Sequence, residues 1–227
     1  KKYYMNTFGD RLPVAFEKGN GVMLTSTEGK EYYDFMGGIA VSSLGHNYKP
    51  LVDTIIKQAS KVIHTSSLYY IENQAVLAEL LCENTCADRV FFANSGAEAN
   101  EGAIKLVRKY FYEKGIAGKS EIITLTNSFH GRTITTVAAT AQEKYQKPYA
   151  PLTEKFVYVE RNNIEALRAA VNENTSAIMV EFIQGESGVN PLTQEFVDEI
   201  RKICDEKDIV MVADEVPTGV GRTGKLY

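Results

Sequence analysis

Residues 90–101 read Val-Phe-Phe-Ala-Asn-Ser-Gly-Ala-Glu-Ala-Asn-Glu, and this stretch decides the fold. The apolar run Val90–Ala93 predicts a strand, and the small residues after it lead into a helix that includes Ile104. Ser95 and Glu98 have the spacing of a capping box at the start of that helix. A helix that begins directly after a strand presents unpaired N–H groups and favours anions, phosphate above all. A capped helix without any ligand is the alternative interpretation.

The rest of the chain, towards its C-terminus, repeats this alternation of short apolar runs and helical patterns. Further strands are predicted at Ile122–Leu125, Phe156–Val159, Ala177–Ile183 and Ile209–Val216. Helices are predicted at Asn162–Val171, opening with a capping box of Asn162 and Glu165, and at Thr193–Cys204. Such alternation is typical of an α/β domain with a mainly parallel sheet.

The N-terminal side has a different pattern. Gly21–Phe35 is predicted to form a hairpin, with aromatic residues after its turn signal. Glycines at residues 37, 38 and 45 then break the pattern. Helical spacing starts at Pro50, and a second helix is predicted around Val76–Leu81. Each of these two helices is expected to bury one face.

Composition and charge narrow the function before any motif is considered. The chain has 227 residues, 44% of them apolar, and a formal net charge of -4. Basic residues are spread among acidic ones, so the clustered positive charge that nucleic-acid binding needs is missing. The apolar runs are far shorter than the roughly 20 residues of a transmembrane helix, and residues 1–10 lack a signal-peptide pattern. We expect a cytoplasmic protein that binds neither nucleic acid nor membrane.

The three cysteines are Cys82, Cys86 and Cys204. Cys82 and Cys86 would share a helical face, but their neighbours are apolar and no histidine lies at ligand spacing. We therefore expect reduced thiols and no metal site.

Residues 127–133 follow the predicted strand Ile122–Leu125, so they lie at a carboxyl end, where open α/β sheets bind ligands. Phe129 could stack on a flat ring, and the guanidinium of Arg132 could bind a carboxylate bidentately. Core packing of Phe129 and a solvated Arg132 are the alternatives. His130 is equally well explained as a packing residue, and we assign it no proton transfer.

Asp214 ends the apolar run that starts at Ile209. A carboxylate at the end of a buried strand stays ionised only if a cation or strong donors face it, and a protonated pyridine nitrogen is one such cation. A helix cap or a salt bridge is the alternative.

Residues 219–224 match the dinucleotide motif G-x-G-x-x-G. That motif needs a helix opening inside the glycines and an acid about 20 residues later, whereas Asp214 and Glu215 precede the glycines. We interpret the segment as a flexible loop.

Four segments in this order resemble the class III, ornithine-type aminotransferases of fold type I, over about Tyr4 to Tyr227. They are Asn94–Asn100, Ser128–Thr133, Gln184–Glu186 and Asp214–Val216, the last followed by Gly219–Gly224. Within the family the likeness is greatest to acetylornithine aminotransferases, through Met5–Thr7, Leu12–Val14, Ser43–His46, His64–Ser66 and Gly188–Pro191. The resemblance implies an incomplete fold type I large domain at residues 46–227, with helices on both faces of the sheet. The N-terminal segment of the small domain would occupy residues 1–45.

The resemblance also implies pyridoxal 5'-phosphate as the cofactor. The phosphate cup would be formed by Ser95, Gly96 and Ala97. Phe129 and Val216 would cover the two faces of the pyridine ring. Asp214 would pair with the ring nitrogen and keep it protonated.

For the substrate, the resemblance implies that Arg132 binds the α-carboxylate and that Glu186 is the gate residue. Such a gate lets one pocket accept both an ω-amino donor and a dicarboxylate acceptor. The resemblance implies a homodimer that transfers the terminal amino group of N-acetylornithine, or a close ω-amino acid, to 2-oxoglutarate. Ornithine, 4-aminobutyrate and succinyl-diaminopimelate are the alternative donors. A nucleotide-dependent oxidoreductase and an inactive binding fragment are alternatives of another class.

Two residues depart from the family pattern. Pro217 stands where the family has a glutamine that is hydrogen-bonded to the phenolic oxygen of the cofactor, and Phe182 stands where proline is common. The Schiff-base lysine of the family is expected beyond Tyr227, so this chain alone is expected to be inactive. Lys225 resembles a loop lysine and is assigned no catalytic role.

Overall fold

A computed structural model of the chain describes residues 3–116, 118–186 and 188–227. The chain divides into two compact units, Lys1–Leu77 and Ala78–Tyr227. Helix α3 (Glu72–Asn84) runs along the chain from the first unit into the second. The predicted domain boundary at residues 45 and 46 stays a prediction.

The first unit contains a three-stranded antiparallel sheet of β1 (Phe16–Asn20), β2 (Met23–Ser26) and β3 (Glu31–Tyr33). Strands β2 and β3 form the predicted hairpin, and β1 adds a strand that the sequence pattern did not indicate. The short turn α1 (Gly37–Ala40) and helix α2 (Lys49–Ala59) follow. Helix α2 begins with Pro50 in its first turn, where the missing N–H of proline costs no hydrogen bond.

Turn α1 explains why the sequence pattern breaks here. Gly37, Gly38, Ile39 and Ala40 all have left-handed backbones, with φ of 53°, 66°, 60° and 64°. A left-handed backbone costs an ordinary residue about 1–2 kcal/mol, and glycine avoids that cost. The two glycines therefore adopt this conformation without strain, whereas Ile39 and Ala40 pay the energetic cost of a left-handed backbone.

Gly45 is required by a close approach of two backbones. Gly21 and His46 exchange two backbone hydrogen bonds of 2.8 Å, and a Cβ on Gly45 would lie only 2.9 Å from the carbonyl oxygen of Gly21. Gly29 has a similar left-handed backbone, with φ of 81° against 77° for Gly45, but nothing lies within 4 Å of its Cβ position.

Alanine substitutions at Gly45 and Gly29 give a matched test of this close approach. In the full-length protein we expect Gly45→Ala to lower the free energy of unfolding by about 1–3 kcal/mol more than Gly29→Ala. Both variants bear the backbone strain, and only Gly45→Ala adds the collision with Gly21. Urea denaturation of the two variants measures the difference. Equal losses would show that the loop at Gly45 relaxes freely.

The second unit is built on a four-stranded parallel sheet of β4 (Glu121–Leu125), β5 (Phe156–Val159), β6 (Thr175–Val180) and β9 (Val210–Ala213). Their order across the sheet is β5-β4-β6-β9. A small antiparallel pair consists of β7 (Ile183–Gln184) and β8 (Asn190–Pro191). The helices are α4 (Gly96–Glu113), α5 (Ile134–Ala139), α6 (Glu143–Gln146), α7 (Ile164–Ala170) and α8 (Gln194–Glu206), with a 3-10 turn at Lys147–Tyr149.

Buried residues lie on both faces of this sheet. In β6, Ile178 and Val180 pack into one cluster with residues of α7 and α8, whereas Ala177 and Met179 pack into another with residues of α4. Successive strand residues point to opposite faces, so this split places helices on both sides of the sheet. The predicted α/β class with a mainly parallel sheet is confirmed.

Two predictions about local structure are wrong. Val90–Ala93 is not a strand, because none of the described strands pairs with it and Phe91 is left 75% exposed. The cap of α7 is Asn163, whose side chain accepts from Ala166 N at 2.9 Å. Asn162 instead has a left-handed backbone, and its side chain accepts from Thr193 N at 2.9 Å, at the start of α8.

Some predicted strand and helix bounds also shift. The run Ala177–Ile183 divides into β6 and β7, and Ile209–Val216 shortens to β9. The helix predicted around Val76–Leu81 extends over Glu72–Asn84.

None of the helices in the described part of the chain has the length and apolar character needed to span a membrane.

Candidate active site

The structure brings three of the predicted motif segments together at the carboxyl edge of the parallel sheet. A Cβ on Gly96 would lie 2.8 Å from both γ-carbons of Val216, so the start of α4 packs on the segment after β9. A Cβ on Gly131 would lie 2.7 Å from Cβ of Ala97, so the loop after β4 packs on the same helix start. Both contacts need glycine, since a side chain at either position would push the segments apart.

The N-terminus of α4 provides an open anion site. Ser95 is the N-cap, and its hydroxyl accepts from Glu98 N at 3.2 Å. The carboxylate of Glu98 accepts from Asn94 N at 2.6 Å, one residue earlier than in the predicted capping box. The N–H groups of Gly96 and Ala97 belong to the first turn, which has no intrahelical acceptors. They therefore lie ready for an anion beside an exposed Ser95.

Asp214 is buried, with 4% of its surface exposed, and it is held by three donors. Its Oδ2 accepts from His130 Nδ1 at 2.7 Å and from Asn100 Nδ2 at 2.8 Å, and its Oδ1 accepts from Val216 N at 3.0 Å. Burial alone would raise the pKa of Asp214, but these hydrogen bonds outweigh it and lower the pKa below its usual value. Asp214 is therefore an ionised carboxylate at neutral pH.

His130 and Asn100 are the residues that orient this carboxylate. The amide of Asn100, on α4, donates to the carbonyl of His130 and to Asp214, both at 2.8 Å. The ring of His130 is fully buried, and its Nε2 has no hydrogen-bond partner among the described residues. The sequence did not assign a role to either residue, although both lie inside the quoted motifs.

A second cluster surrounds Tyr145, on α6. Its ring lies 5.8 Å from the ring of Phe129 in an edge-to-face arrangement, and the guanidinium carbon of Arg132 lies 5.0 Å from its centroid. Its hydroxyl donates to Glu186 at 3.4 Å, and Lys144 Nζ lies 3.9 Å from the same carboxylate. Tyr145 thus contacts Phe129, Arg132 and Glu186. No pattern in the sequence marks it.

Glu181 is a further buried acid at this edge. It directly follows β6, is 2% exposed, and its Oε2 accepts from Phe129 N at 2.9 Å. Burial raises the pKa of Glu181 to about 7. An acid immediately after an apolar strand was the signal that identified Asp214, and the same signal could have identified Glu181.

The remaining segment after Asp214 is irregular. Residues 216–223 form consecutive turns, and no helix begins in the described range between Gly219 and Gly224. The prediction that this segment is a loop is confirmed. Pro217 and Lys225 are exposed. No group of three or more His, Cys, Asp or Glu side chains that could hold a metal ion is found in the described ranges.

A parallel sheet with an acid after a strand, an aromatic loop and an open helix N-terminus at one edge is the arrangement expected of a large domain of the fold type I pyridoxal-phosphate class. The chain belongs to the class-III aminotransferase family, which matches residues 4–227.

Relatives of known name agree with this membership. The chain is 53% identical to the acetylornithine aminotransferase of Caldanaerobacter subterraneus, over all of this chain and 58% of that protein. It is 47% identical to the enzyme of the same name from Methanocaldococcus jannaschii, over all of this chain and 57% of that one. The chain therefore spans a little over half the length of these relatives.

Solved structures show the same fold. The ornithine aminotransferase of Toxoplasma gondii superposes with a TM-score of 0.93 at 31% identity, covering 99% of this chain and 54% of that one. The N-acetylornithine aminotransferase of Stenotrophomonas maltophilia gives 0.82 at 38% identity, covering 98% and 56%.

The residues present fit pyridoxal phosphate, the cofactor of this family. A carboxylate has about four acceptor positions, and Asp214 uses three of them, which leaves one on Oδ1 for a protonated ring nitrogen. The first turn of α4 offers N–H donors to a phosphate. Phe129 is half-buried and Val216 is 61% exposed, so both retain surface that a ring could cover.

Proposed function

We propose that the full-length protein is a pyridoxal-phosphate-dependent transaminase that transfers the terminal amino group of N-acetylornithine, or a close ω-amino acid, to 2-oxoglutarate in arginine biosynthesis. The observation that carries the proposal is the buried Asp214, which accepts three hydrogen bonds beside the open start of α4. The substrate rests on the acetylornithine aminotransferases that are 53% and 47% identical to the chain.

Pyridoxal phosphate, when bound, supplies an electron-accepting ring that makes an adjacent carbon acidic. The chain's residues position and tune that ring. Asp214 holds a proton on the ring nitrogen, with His130 and Asn100 fixing the carboxylate. The phosphate is bound by Ser95, Gly96 and Ala97. Phe129 and Val216 cover the two ring faces.

Arg132 and Glu186 are the proposed substrate residues. The guanidinium of Arg132 binds the substrate α-carboxylate through two parallel hydrogen bonds. Glu186 acts as the gate that lets one pocket accept both an ω-amino donor and a dicarboxylate acceptor. The ring of Tyr145 lies against the guanidinium and its hydroxyl donates to the gate carboxylate, so it fixes both residues.

The proposal includes a homodimer in the cytoplasm. Several large apolar side chains of the first unit are exposed, among them Phe35 at 95% and Ile39 at 81%. Exposed apolar surface of this kind is usually covered by other parts of a protein or by a partner. Cys82, Cys86 and Cys204 are free thiols, as suits a reducing compartment.

Ornithine is the second candidate donor, because the ornithine aminotransferase of Toxoplasma gondii shares the fold at 31% identity. The other donors are separated only by pocket details. The deciding experiment compares kcat/KM of the full-length protein for N-acetylornithine, ornithine, succinyl-diaminopimelate and 4-aminobutyrate, each with 2-oxoglutarate. We expect N-acetylornithine to be preferred. Equal values for N-acetylornithine and 4-aminobutyrate would contradict the assignment.

Pro217 offers a test of cofactor affinity. Proline has no side-chain donor, so Pro217→Gln in the full-length protein is expected to tighten pyridoxal phosphate by about 1 kcal/mol, the usual net value of one hydrogen bond. Equilibrium dialysis of the two proteins measures the change. An unchanged affinity would show that another donor already serves the phenolic oxygen.

A further inference from the structure

Glu181 and Asp214 are neighbouring acids at the carboxyl edge of the sheet. Val180 pairs with Ala213 in the parallel register of β6 and β9, so Glu181 and Asp214 are the first residues after the two paired strands. Only 2% and 4% of their surfaces are exposed. Two buried carboxyl groups at the ends of adjacent strands are not readily ionised at the same time unless positive charge lies near them.

The carboxyl group of Glu181 joins two loops of the site. It accepts from Phe129 N at 2.9 Å, in the loop after β4, and from the N–H of Gly185, next to the gate residue Glu186. Loops that share one buried acceptor are fixed relative to each other. The positions of Phe129 and Glu186 therefore both depend on this one side chain.

The charge of Glu181 is set by the groups that face it. Burial is the largest influence and raises its pKa; the donors Phe129 N and Gly185 N and the charge of His130 lower it, and Asp214 raises it. The result is a pKa of about 7. Glu181 therefore gains and loses its proton near neutral pH, where a small change of nearby charge changes its ionisation.

We propose that Glu181 is a proton-linked positioning residue, which holds Phe129 and the Gly185–Glu186 loop and releases its proton when a cationic ring lies beside Asp214. This inference rests on the proposed function. A positive ring nitrogen favours the ionised form of a nearby acid, and the ionised carboxylate accepts more strongly from Phe129 N and Gly185 N. Ligand binding thereby strengthens the bonds that place Phe129.

The sign of the pH dependence follows from linkage. If a cationic ring lowers the pKa of Glu181, the affinity for the ring is highest above the free-protein value of about 7 and falls as pH decreases below it. The probe is pyridoxamine 5'-phosphate, which carries the ring and the phosphate but lacks the aldehyde. Its Kd for the full-length protein is measured by equilibrium dialysis between pH 6 and pH 8.

The variants isolate Glu181 from the other titrating groups. Glu181→Gln removes the proton exchange. Glu160→Gln makes the same change at the residue that directly follows β5 in the same sheet, at an exposed position. We expect the affinity of the wild-type protein to fall roughly fivefold more than that of Glu181→Gln between pH 8 and pH 6, with Glu160→Gln following the wild type.

Identical pH profiles for Glu181→Gln and the wild type would overturn the inference. A wild-type protein that binds no pyridoxamine phosphate at any pH would overturn the proposed function, and this inference with it. If Glu181→Gln fails to fold, carbon NMR of carboxyl-labelled glutamate in the wild type decides. We expect a glutamate that titrates near pH 7 in the free protein and at lower pH in the complex, and its absence would equally overturn the inference.

Discussion

Asp214→Asn in the full-length protein is expected to lower kcat by roughly 10²- to 10³-fold, the usual loss when one fixed electrostatic partner is removed from a reacting group. The neutral amide no longer favours the protonated ring nitrogen, so the ring accepts electrons poorly. The substitution also places an NH₂ group against donors, since His130 and Asn100 donate to one oxygen and Val216 N to the other. We expect that mismatch to cost about 1–3 kcal/mol of stability.

The two effects are separated by measuring steady-state turnover well below the melting temperature, with melting recorded independently. Asp205→Asn is the matched control, because Asp205 is an exposed acid paired with Arg201 on α8. It should leave turnover unchanged. An Asp214→Asn variant with wild-type kcat would falsify the role of Asp214 as partner of the ring nitrogen.

Arg132→Lys is expected to lower kcat/KM for N-acetylornithine by about 10- to 100-fold, the value of one charge-assisted bidentate contact. Lysine keeps the positive charge but presents a point charge, which cannot reproduce two parallel hydrogen bonds. It also lacks the planar guanidinium that lies over the rings of Phe129 and Tyr145, at 5.8 Å and 5.0 Å. A lysine at this position therefore lacks the ring contacts that hold the guanidinium of Arg132 in place.

Steady-state kinetics with N-acetylornithine and 2-oxoglutarate measure this change. Arg168→Lys is the control, because Arg168 is an exposed arginine paired with Glu199 at 2.7 Å. It should leave kcat/KM unchanged. If Arg132→Lys behaves like Arg168→Lys, the α-carboxylate is bound elsewhere.

Most of the fold was predictable because local pattern and burial agree. The run Phe156–Val159 became a strand with those bounds, and Ile122–Leu125 became one that begins a residue earlier, at Glu121, since each run is apolar and paired on at least one side. Val90–Ala93 is equally apolar but has no partner among the described strands. Apolar character shows that a segment can form a strand, whereas pairing in a sheet also requires a neighbouring strand.

The site was predictable only where its residues form contiguous motifs. The contact of Gly96 with Val216 joins two segments that the sequence had already marked. Glu181 follows an apolar run as Asp214 does, but its contacts in the site, like those of Tyr145, come from long-range geometry. The first depends on the register of β6 against β9, and the second on where the short helix α6 places one ring.

Asn100 has a consequence for how this family can change during evolution. Its two amide hydrogens serve groups 30 and 114 positions further along the chain, the carbonyl of His130 and the carboxylate of Asp214. An acid at residue 100 would oppose both acceptors, and a small apolar residue would leave both unpaired and buried. A single substitution at any of these three positions is thus costly until the others change. Residues 100, 130 and 214 should consequently be inherited as a set, and aligned relatives should show them constant or covarying.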